Sequence, residues 1–254
     1  MFSSHPAAAL YLDLLKGCLT RLLFPDSCVD TRLVPTGAFD PEVRRNGQDW
    51  PSEAETMVGW KRLDSLQRCV EEVLRDGVAG DLLEAGVWRG GASILMRAVL
   101  KAYGDSQRIV WLADSFAGLP KADPVRYPAD ADDHLADWNA YLGVPLECVQ
   151  RNFARYGLLD GQVRFLNGWF RETLPHAPVG QIAVLRLDGD MYESTMSILE
   201  NLYQRVSPGG FVVVDDYGAL ANCKAAVDDF RGRLQLREPL QPIDWTGVLW
   251  RREW

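Results

Sequence analysis

Leu185-Arg186-Leu187-Asp188-Gly189-Asp190 and Phe211-Val212-Val213-Val214-Asp215-Asp216 are two mainly apolar runs that each end in a pair of carboxylates. If both runs are strands of one sheet, their ends face one crevice and three or four carboxylates converge there. Such a group repels itself unless a cation neutralises it. An all-oxygen donor set favours Mg²⁺, which keeps waters and accepts substrate oxygens. The chain has three histidines, too few to build a typical zinc site. The chemistry to expect is activation of a hydroxyl group. A bound dication lowers the pKa of a coordinated oxygen, a neighbouring carboxylate takes the proton, and the oxygen becomes a nucleophile. Asp-rich turns also occur for conformational reasons alone, so either pair by itself reads as turn and cap residues. Two pairs at consecutive strand ends favour a metal.

A second constellation lies in Leu82-Leu83-Glu84-Ala85-Gly86-Val87-Trp88-Arg89-Gly90-Gly91, a buried strand ending in an acid, then a glycine turn, then a helix start. Gly86 and Gly90 let backbone approach a ligand where side chains would intrude. Asp114 ends a second strand, where an acid is placed for ribose hydroxyls. Asn167-Gly168-Trp169-Phe170 ends a third, where an aromatic ring and a backbone group could frame an adenine. The glycine pattern lacks the first glycine of G-x-G-x-x-G, which weakens a dinucleotide reading, and G-x-x-x-x-G-K-[ST] does not occur. Glu84 would repel a pyrophosphate but suits the cationic end of S-adenosylmethionine (SAM). The structural alternative is that Glu84 and Asp114 only cap helices. An activated oxygen could then attack the methyl group of SAM in line, with the protein supplying alignment and charge stabilisation.

The elements that must present these groups follow from periodicity. Strand-like runs cover Asp81–Glu84, Arg108–Ala113, Val163–Leu166, Ala183–Leu187, Gly210–Val214 and Gly247–Arg251, the last as an antiparallel edge strand. Helices fit 91–103, about 145–157, 193–205 and 221–234. Such alternation predicts βαβ units around a mainly parallel sheet, with ligands at the carboxyl ends of the strands. Met57, Trp60, Leu63, Leu66, Val70 and Val73 follow the 3.6-residue period and predict a helix over Thr56–Asp76, stopped by Gly77. Leu10, Leu14, Leu15, Leu22 and Leu23 predict an amphipathic helix over 8–24 that packs on the body or on a second subunit. Residues 25–52 read as irregular. The polar stretch 121–143 contains Tyr127, Trp138 and Tyr141 and reads as an active-site lid.

The chain's 254 residues and net charge of −8 suit one domain with appendages, and the acidic balance argues against nucleic acid or an anionic membrane as partner. Five scattered cysteines with no C-x-x-C pair fit a reducing cytoplasm. The apolar stretch 7–24 carries Asp13, Lys16 and Arg21 and neither spans a bilayer nor reads as a signal peptide. Met57 and Trp60 read first as core, with Met57 the better exception. His176 reads as surface, and His134 is balanced between a sugar contact and a solvated loop. Arg186 on a central strand must find a partner among the site acids.

Taken together, Leu83–Gly91, Val110-Trp111-Leu112-Ala113-Asp114-Ser115-Phe116, Asn152-Phe153-Ala154-Arg155-Tyr156-Gly157-Leu158, Gly168-Trp169-Phe170, Leu187–Asp190 and Val214-Asp215-Asp216-Tyr217 resemble the macrocin-type O-methyltransferases, which methylate deoxysugar hydroxyls of natural products. The likeness runs from about residue 9 to the C-terminus and includes Tyr11–Lys16 and Thr56–Gly59. It implies a class I SAM-dependent methyltransferase fold, Rossmann-like, with a mostly parallel seven-stranded sheet. It also implies Mg²⁺ and a homodimer or larger assembly. Residues 1–55 would be an N-terminal helical extension, and 56–254 the SAM-binding domain with the lid at 121–143. By the same resemblance Asp188, Asp215 and Asp216 bind the metal, and Asp190 is the candidate base, with Asp188 the alternative. Met57, Glu84, Gly86, Arg89, Asp114, Ser115, Gly168 and Trp169 hold SAM. Thr36, His134, Ala136, Trp138 and Tyr217 meet the sugar. Two positions depart from the family pattern. Glu84-Ala85-Gly86 stands where Glu-Thr-Gly is frequent, and Ala136 stands where relatives carry a histidine, so the sugar pocket has changed. The competing readings are a catechol or other vicinal-diol O-methyltransferase with the same site, and a non-catalytic SAM-binding protein. An NAD-dependent oxidoreductase lacks its pyrophosphate turn here.

Overall fold

The computed structural model describes residues 6–30 and 35–253. Helix α1 (Pro6–Leu19) buries Leu12, Leu15 and Leu19 and packs on the helix after the first core strand. It ends well before residue 24. Arg21 takes a left-handed φ of 57°, the amide of Leu23 donates to the Gly17 carbonyl at 3.1 Å, and the Leu23 side chain folds over Gly17. Leu10 and Leu14, expected on the packed face, are exposed.

The stretch read as irregular holds more structure than its composition suggests. Strand β1 (Cys28–Asp30) pairs antiparallel with β2 (Trp50–Pro51), and the short helix α2 (Pro41–Arg45) lies between them, capped by the Asp40 carboxylate. Buried Arg44 holds it together, donating to both Asp49 oxygens at 2.8 Å, to Asp26 at 2.5 Å and to the Thr20 carbonyl at 3.0 Å. Residues 31–34, within that stretch, lie outside the described residues.

Helix α3 (Trp60–Arg75) starts four residues later than Thr56, because Thr56 Oγ1 accepts from the Val58 amide and Gly59 stays extended at ψ 164°. The extended residues before it run along the cavity described below. Then follow β3 (Asp81–Ala85), α4 (Gly91–Ala102), β4 (Val110–Asp114) and the segment 121–143, which contains two 3₁₀ turns and the single-turn α5 (Asn139–Leu142). The remainder is α6 (Leu146–Arg155), β5 (Val163–Asn167), α7 (Phe170–Thr173), β6 (Ile182–Leu187), α8 (Tyr192–Leu202), β7 (Val206–Val214), α9 (Ala221–Leu234), β8 (Gln241–Pro242) and β9 (Val248–Arg251).

Seven strands form one sheet in the order β5-β4-β3-β6-β7-β9-β8, with the first five parallel. β9 is antiparallel to β7, as expected, but it is not the edge, since β8 pairs along its outer side. Helices α3, α4 and α6 cover one face around Leu63, Leu66, Ile94 and Phe153. Helices α8 and α9 cover the other around Ile198, Leu202, Phe230 and Trp250. Each such side chain contributes roughly 1.5–3 kcal/mol on burial. From β3 the chain winds outward through β4 and β5, and it returns to the other side of β3 as β6. The crevice where that order reverses, at the carboxyl ends of β3 and β6, is where open α/β sheets bind ligands.

Candidate active site

The crevice opens into a cavity of about 770 Å³. Its floor is the close approach of two strand ends. Gly86 has φ +87°, and a Cβ there would sit 1.8 Å from the Asp188 carbonyl oxygen. The Gly86 amide donates to Ala113 O at 2.9 Å and the Asp188 amide to Ala85 O at 2.8 Å, so three strand ends are tied at one level. Asp114 reaches across from β4 and accepts from the amides of Val87 and Phe116, both at 2.7 Å. Burial pushes its carboxyl up from the ordinary value, against those hydrogen bonds.

Glu84 caps no helix. Its buried carboxylate accepts from the Ser93 hydroxyl and, at 2.6 Å, from Arg186. Burial pushes its pKa up to about 7, with Arg186 pulling the other way. Arg186 finds three partners rather than one: Glu84, Asp188 at 2.8 Å and Asp215 at 2.5 Å.

Asp188 ends β6, and Asp215 and Asp216 end β7, one strand over. Oxygens from these three side chains lie within 4.8 Å of one another. Burial opposes charge on Asp215, yet Arg186 and Arg62 hold its carboxyl below the ordinary value. For Asp188, burial and then the charge of Asp215 push the other way. Asp190 and Asp216 are driven well up, first by burial and then by neighbouring carboxylates. Asp216 Oδ2 is buried without a hydrogen-bond partner. Asp190 sits at φ 56°, a left-handed conformation that costs of order 1 kcal/mol in a residue other than glycine and here turns its carboxylate beside the cluster. An orphaned carboxylate oxygen among convergent hard oxygen donors fits a divalent cation such as Mg²⁺.

Most of the residues singled out from the sequence come together. Met57, Glu84, Gly86, Asp114, Ser115, Trp138, Trp169, Asp188, Asp190, Asp215 and Asp216 all line the cavity. Others stand elsewhere among the described residues. Arg89 donates to the carbonyls of Pro51 at 3.2 Å and Ala54 at 2.9 Å and stacks on Trp88, fastening the N-terminal extension to the glycine turn. Gly168, at φ +142°, is not among the lining residues, and a Cβ there would meet Thr173 Cγ2 at 2.7 Å. Thr36 and His134 are exposed, Ala136 is half-buried outside the lining, and the Tyr217 hydroxyl donates to Asp228 at 2.8 Å. His176 is exposed, as expected.

Several lining residues escaped sequence reasoning. Arg62 projects from α3 to Asp215 and to Asp244 at 3.1 Å, between Gly47 and Gly247, whose added Cβ atoms would press on its side chain. A basic residue on the inner face of a long helix was its one signal. Trp50 stacks on Tyr141 at 5.1 Å and meets Trp138 edge-on at 5.3 Å, so the extension and the 121–143 segment share an aromatic wall. Trp88, Phe170 and Trp245 are further lining aromatics.

This sheet order, with its acid-bearing strand ends and glycine turn, is that of the class I SAM-dependent methyltransferases. The solved structure of the O-methyltransferase NovP superposes with a TM-score of 0.91 at 48% identity, covering 97% of this chain and 100% of that one. A calicheamicin methyltransferase, CalS11, shares the fold at TM-score 0.61 and 20% identity, over 98% of this chain and 94% of its own. The macrocin-O-methyltransferase (TylF) family model matches residues 8–252, and the chain belongs to that family. One relative, 58% identical over 98% of this chain and 94% of its own length, is the 8-demethyl-8-(2,3-dimethoxy-alpha-L-rhamnosyl)-tetracenomycin-C 4'-O-methyltransferase of Streptomyces olivaceus. Another, the mycinamicin III 3''-O-methyltransferase of Micromonospora griseorubida, is 50% identical over 98% of this chain and 99% of its own. The protein is thus a SAM-dependent O-methyltransferase, related to sugar O-methyltransferases of antibiotic pathways.

Proposed function

We propose that this chain methylates a hydroxyl of a deoxysugar on a glycosylated natural product, with SAM as donor and Mg²⁺ as required ion. The observation that carries the reading is the cluster of Asp188, Asp215 and Asp216, with the buried Asp216 oxygen unpaired, beside the Gly86 turn. These three aspartates would hold the cation, which when bound supplies Lewis acidity toward the acceptor hydroxyl. Asp190 accepts the hydroxyl proton, with Asp188 the alternative, and the freed oxygen attacks the methyl carbon as the carbon–sulfur bond breaks. The carboxylates of Glu84 and Asp114, the Gly86 backbone, Ser115, Met57 and Trp169 form the donor's side of the cavity. The chain's own contribution is alignment and the exclusion of water.

Trp50 of the extension and Trp138 of the 121–143 segment, at right angles, form an apolar corner suited to the CH face of a sugar. The exposed Leu10, Tyr11 and Leu14 of α1 suit contact with a second copy in a homodimer. No helix among the described residues is long and apolar enough to cross a membrane. A cytoplasmic site of action completes the reading.

The test is methyl transfer from SAM to 8-demethyl-8-(2,3-dimethoxy-α-L-rhamnosyl)-tetracenomycin C, to mycinamicin III and to a panel of glycosylated antibiotics, with products mapped by NMR. Transfer to a sugar hydroxyl that stops in EDTA and returns with Mg²⁺ is expected. Transfer only to catechols, or full activity in chelator, overturns the assignment.

A further inference from the structure

The 121–143 segment is mostly irregular and polar, yet one of its aspartates is fully buried. Asp130 ends the 3₁₀ turn Pro128–Asp130 and is 0% exposed. Its two oxygens accept from the first amides of α8, Tyr192 N at 2.7 Å and Glu193 N at 3.0 Å. Asn222, at the start of α9, donates to Asp130 at 3.0 Å and to Asp133 at 2.8 Å. The Tyr127 and Tyr192 rings meet at 6.3 Å beside this anchor. A carboxylate on a helix's first turn satisfies amides that have no partner within the helix and lies at the favourable end of its dipole.

The anchor joins two parts of the site that are far apart in sequence. Helix α8 begins two residues after Asp190, so the amides that Asp130 holds continue directly from the Asp188–Asp190 turn. On the other side, the segment carries Leu135 and Trp138 into the cavity lining. At its base Asn139 pairs with the backbone of Leu119 in both directions, donating and accepting at 2.8 Å. The segment is therefore pinned at three places: by the Asn139 amide at its base, by Tyr141, whose hydroxyl donates to the Pro51 carbonyl at 2.8 Å and whose ring stacks on Trp50, and by the Asp130 carboxylate on α8.

We propose that Asp130 is a positioning residue of this enzyme. Its buried carboxylate holds the 121–143 segment down on α8, and so sets Trp138 over the cavity and steadies the acid turn beneath it. The inference rests on the methyl-transfer reading for its consequence in turnover, but not for the anchor itself. Asp130 touches neither acceptor nor donor, and its effect passes through Trp138 and through the start of α8.

The test compares the full chain with Asp130→Ala, Asp130→Asn and Asn222→Ala by hydrogen exchange and by methyl-transfer kinetics. In Asp130→Ala, exchange across 121–143 and at the amides of 192 and 193 should accelerate at least tenfold, while amides of β3 and β6 stay as in the wild type. Acceptor KM should rise at least fivefold and kcat fall. Asp130→Asn, which keeps an acceptor oxygen but not the charge, should recover part of both. Exchange of 121–143 within twofold of wild type in Asp130→Ala overturns the proposal. If that variant fails to fold, Asp130→Asn decides, because its amide nitrogen cannot accept from an α8 amide; exchange of the 192 and 193 amides unchanged from wild type there overturns the proposal equally, as does an Asn222→Ala variant, with the α8 amides still capped, that loosens 121–143 more than Asp130→Asn does. A wild-type chain that methylates no acceptor would sink the functional reading and leave the exchange comparison to judge Asp130 alone.

Discussion

The guanidinium of Arg186 lies 2.6 Å from the carboxylate of Glu84, and both side chains are 2% exposed. The same cation reaches Asp188 and Asp215, so one arginine on the central strand β6 ties the glycine turn to the candidate metal ligands. Removing one partner from a buried ion pair leaves charge without compensation. Arg186→Met should therefore destabilise the fold by roughly 3–5 kcal/mol, read as the urea midpoint shift. Arg186→Lys, which cannot bridge three acids from a single ammonium, should fall between.

Glu84 gives a pH signature. Its carboxyl is raised from 4.5 to about 7, mainly by burial, so between those values the folded chain holds a proton that the unfolded chain has released. Stability from this group is fully present below pH 4.5 and is lost as pH rises toward 7. Relative to Glu84→Gln, the wild type should lose about 3 kcal/mol of unfolding free energy between pH 4.5 and 8. Denaturant titrations of both proteins at matched pH measure it; a difference that does not change with pH would contradict the assignment.

Asp216 should show a crossover. Its carboxyl is raised well above the ordinary value by burial and by Asp190, and one oxygen has no partner. In EDTA at pH 7, Asp216→Asn should melt about 2–4 °C higher than wild type, as expected for relief of roughly 1 kcal/mol in a chain of this size. Added Mg²⁺ should raise the wild-type melting temperature and leave the variant's unchanged. Calorimetric titration with Mg²⁺ alone gives the same comparison without turnover.

Asp188→Asn and Asp215→Asn should lower kcat at least a hundredfold while SAM affinity, measured by calorimetry, moves less than tenfold. Equal loss of both would point to damage to the strand ends rather than to the reaction.

Gly86→Ala tests the floor of the cavity. A methyl group there meets the Asp188 carbonyl at 1.8 Å and backbone at φ +87°, so the strand ends must separate. Loss of SAM-dependent thermal stabilisation is expected, together with destabilisation of about 2 kcal/mol or more.

The sequence by itself determined the alternating elements, the acids at four strand ends and the glycine turn, because each is local. A short, nearly continuous apolar run makes a strand of a buried parallel sheet, and the residue at its end must stand at the sheet's carboxyl edge. That reasoning placed Glu84, Asp114, Asp188 and Asp216 at one crevice. Only the tertiary structure decided that Arg186 serves three carboxylates, that Arg62 reaches Asp215 from α3, that Trp50 meets Trp138, and that Arg89 fastens the N-terminal extension instead of lining the cavity. It also decided that β8 lies outside β9 and that α1 stops at Leu19, where a left-handed residue overrides the leucine spacing. Those features depend on which side chains meet across long sequence separations. Periodicity reports only which face of an element is apolar, and it carries no record of the partner that will cover that face.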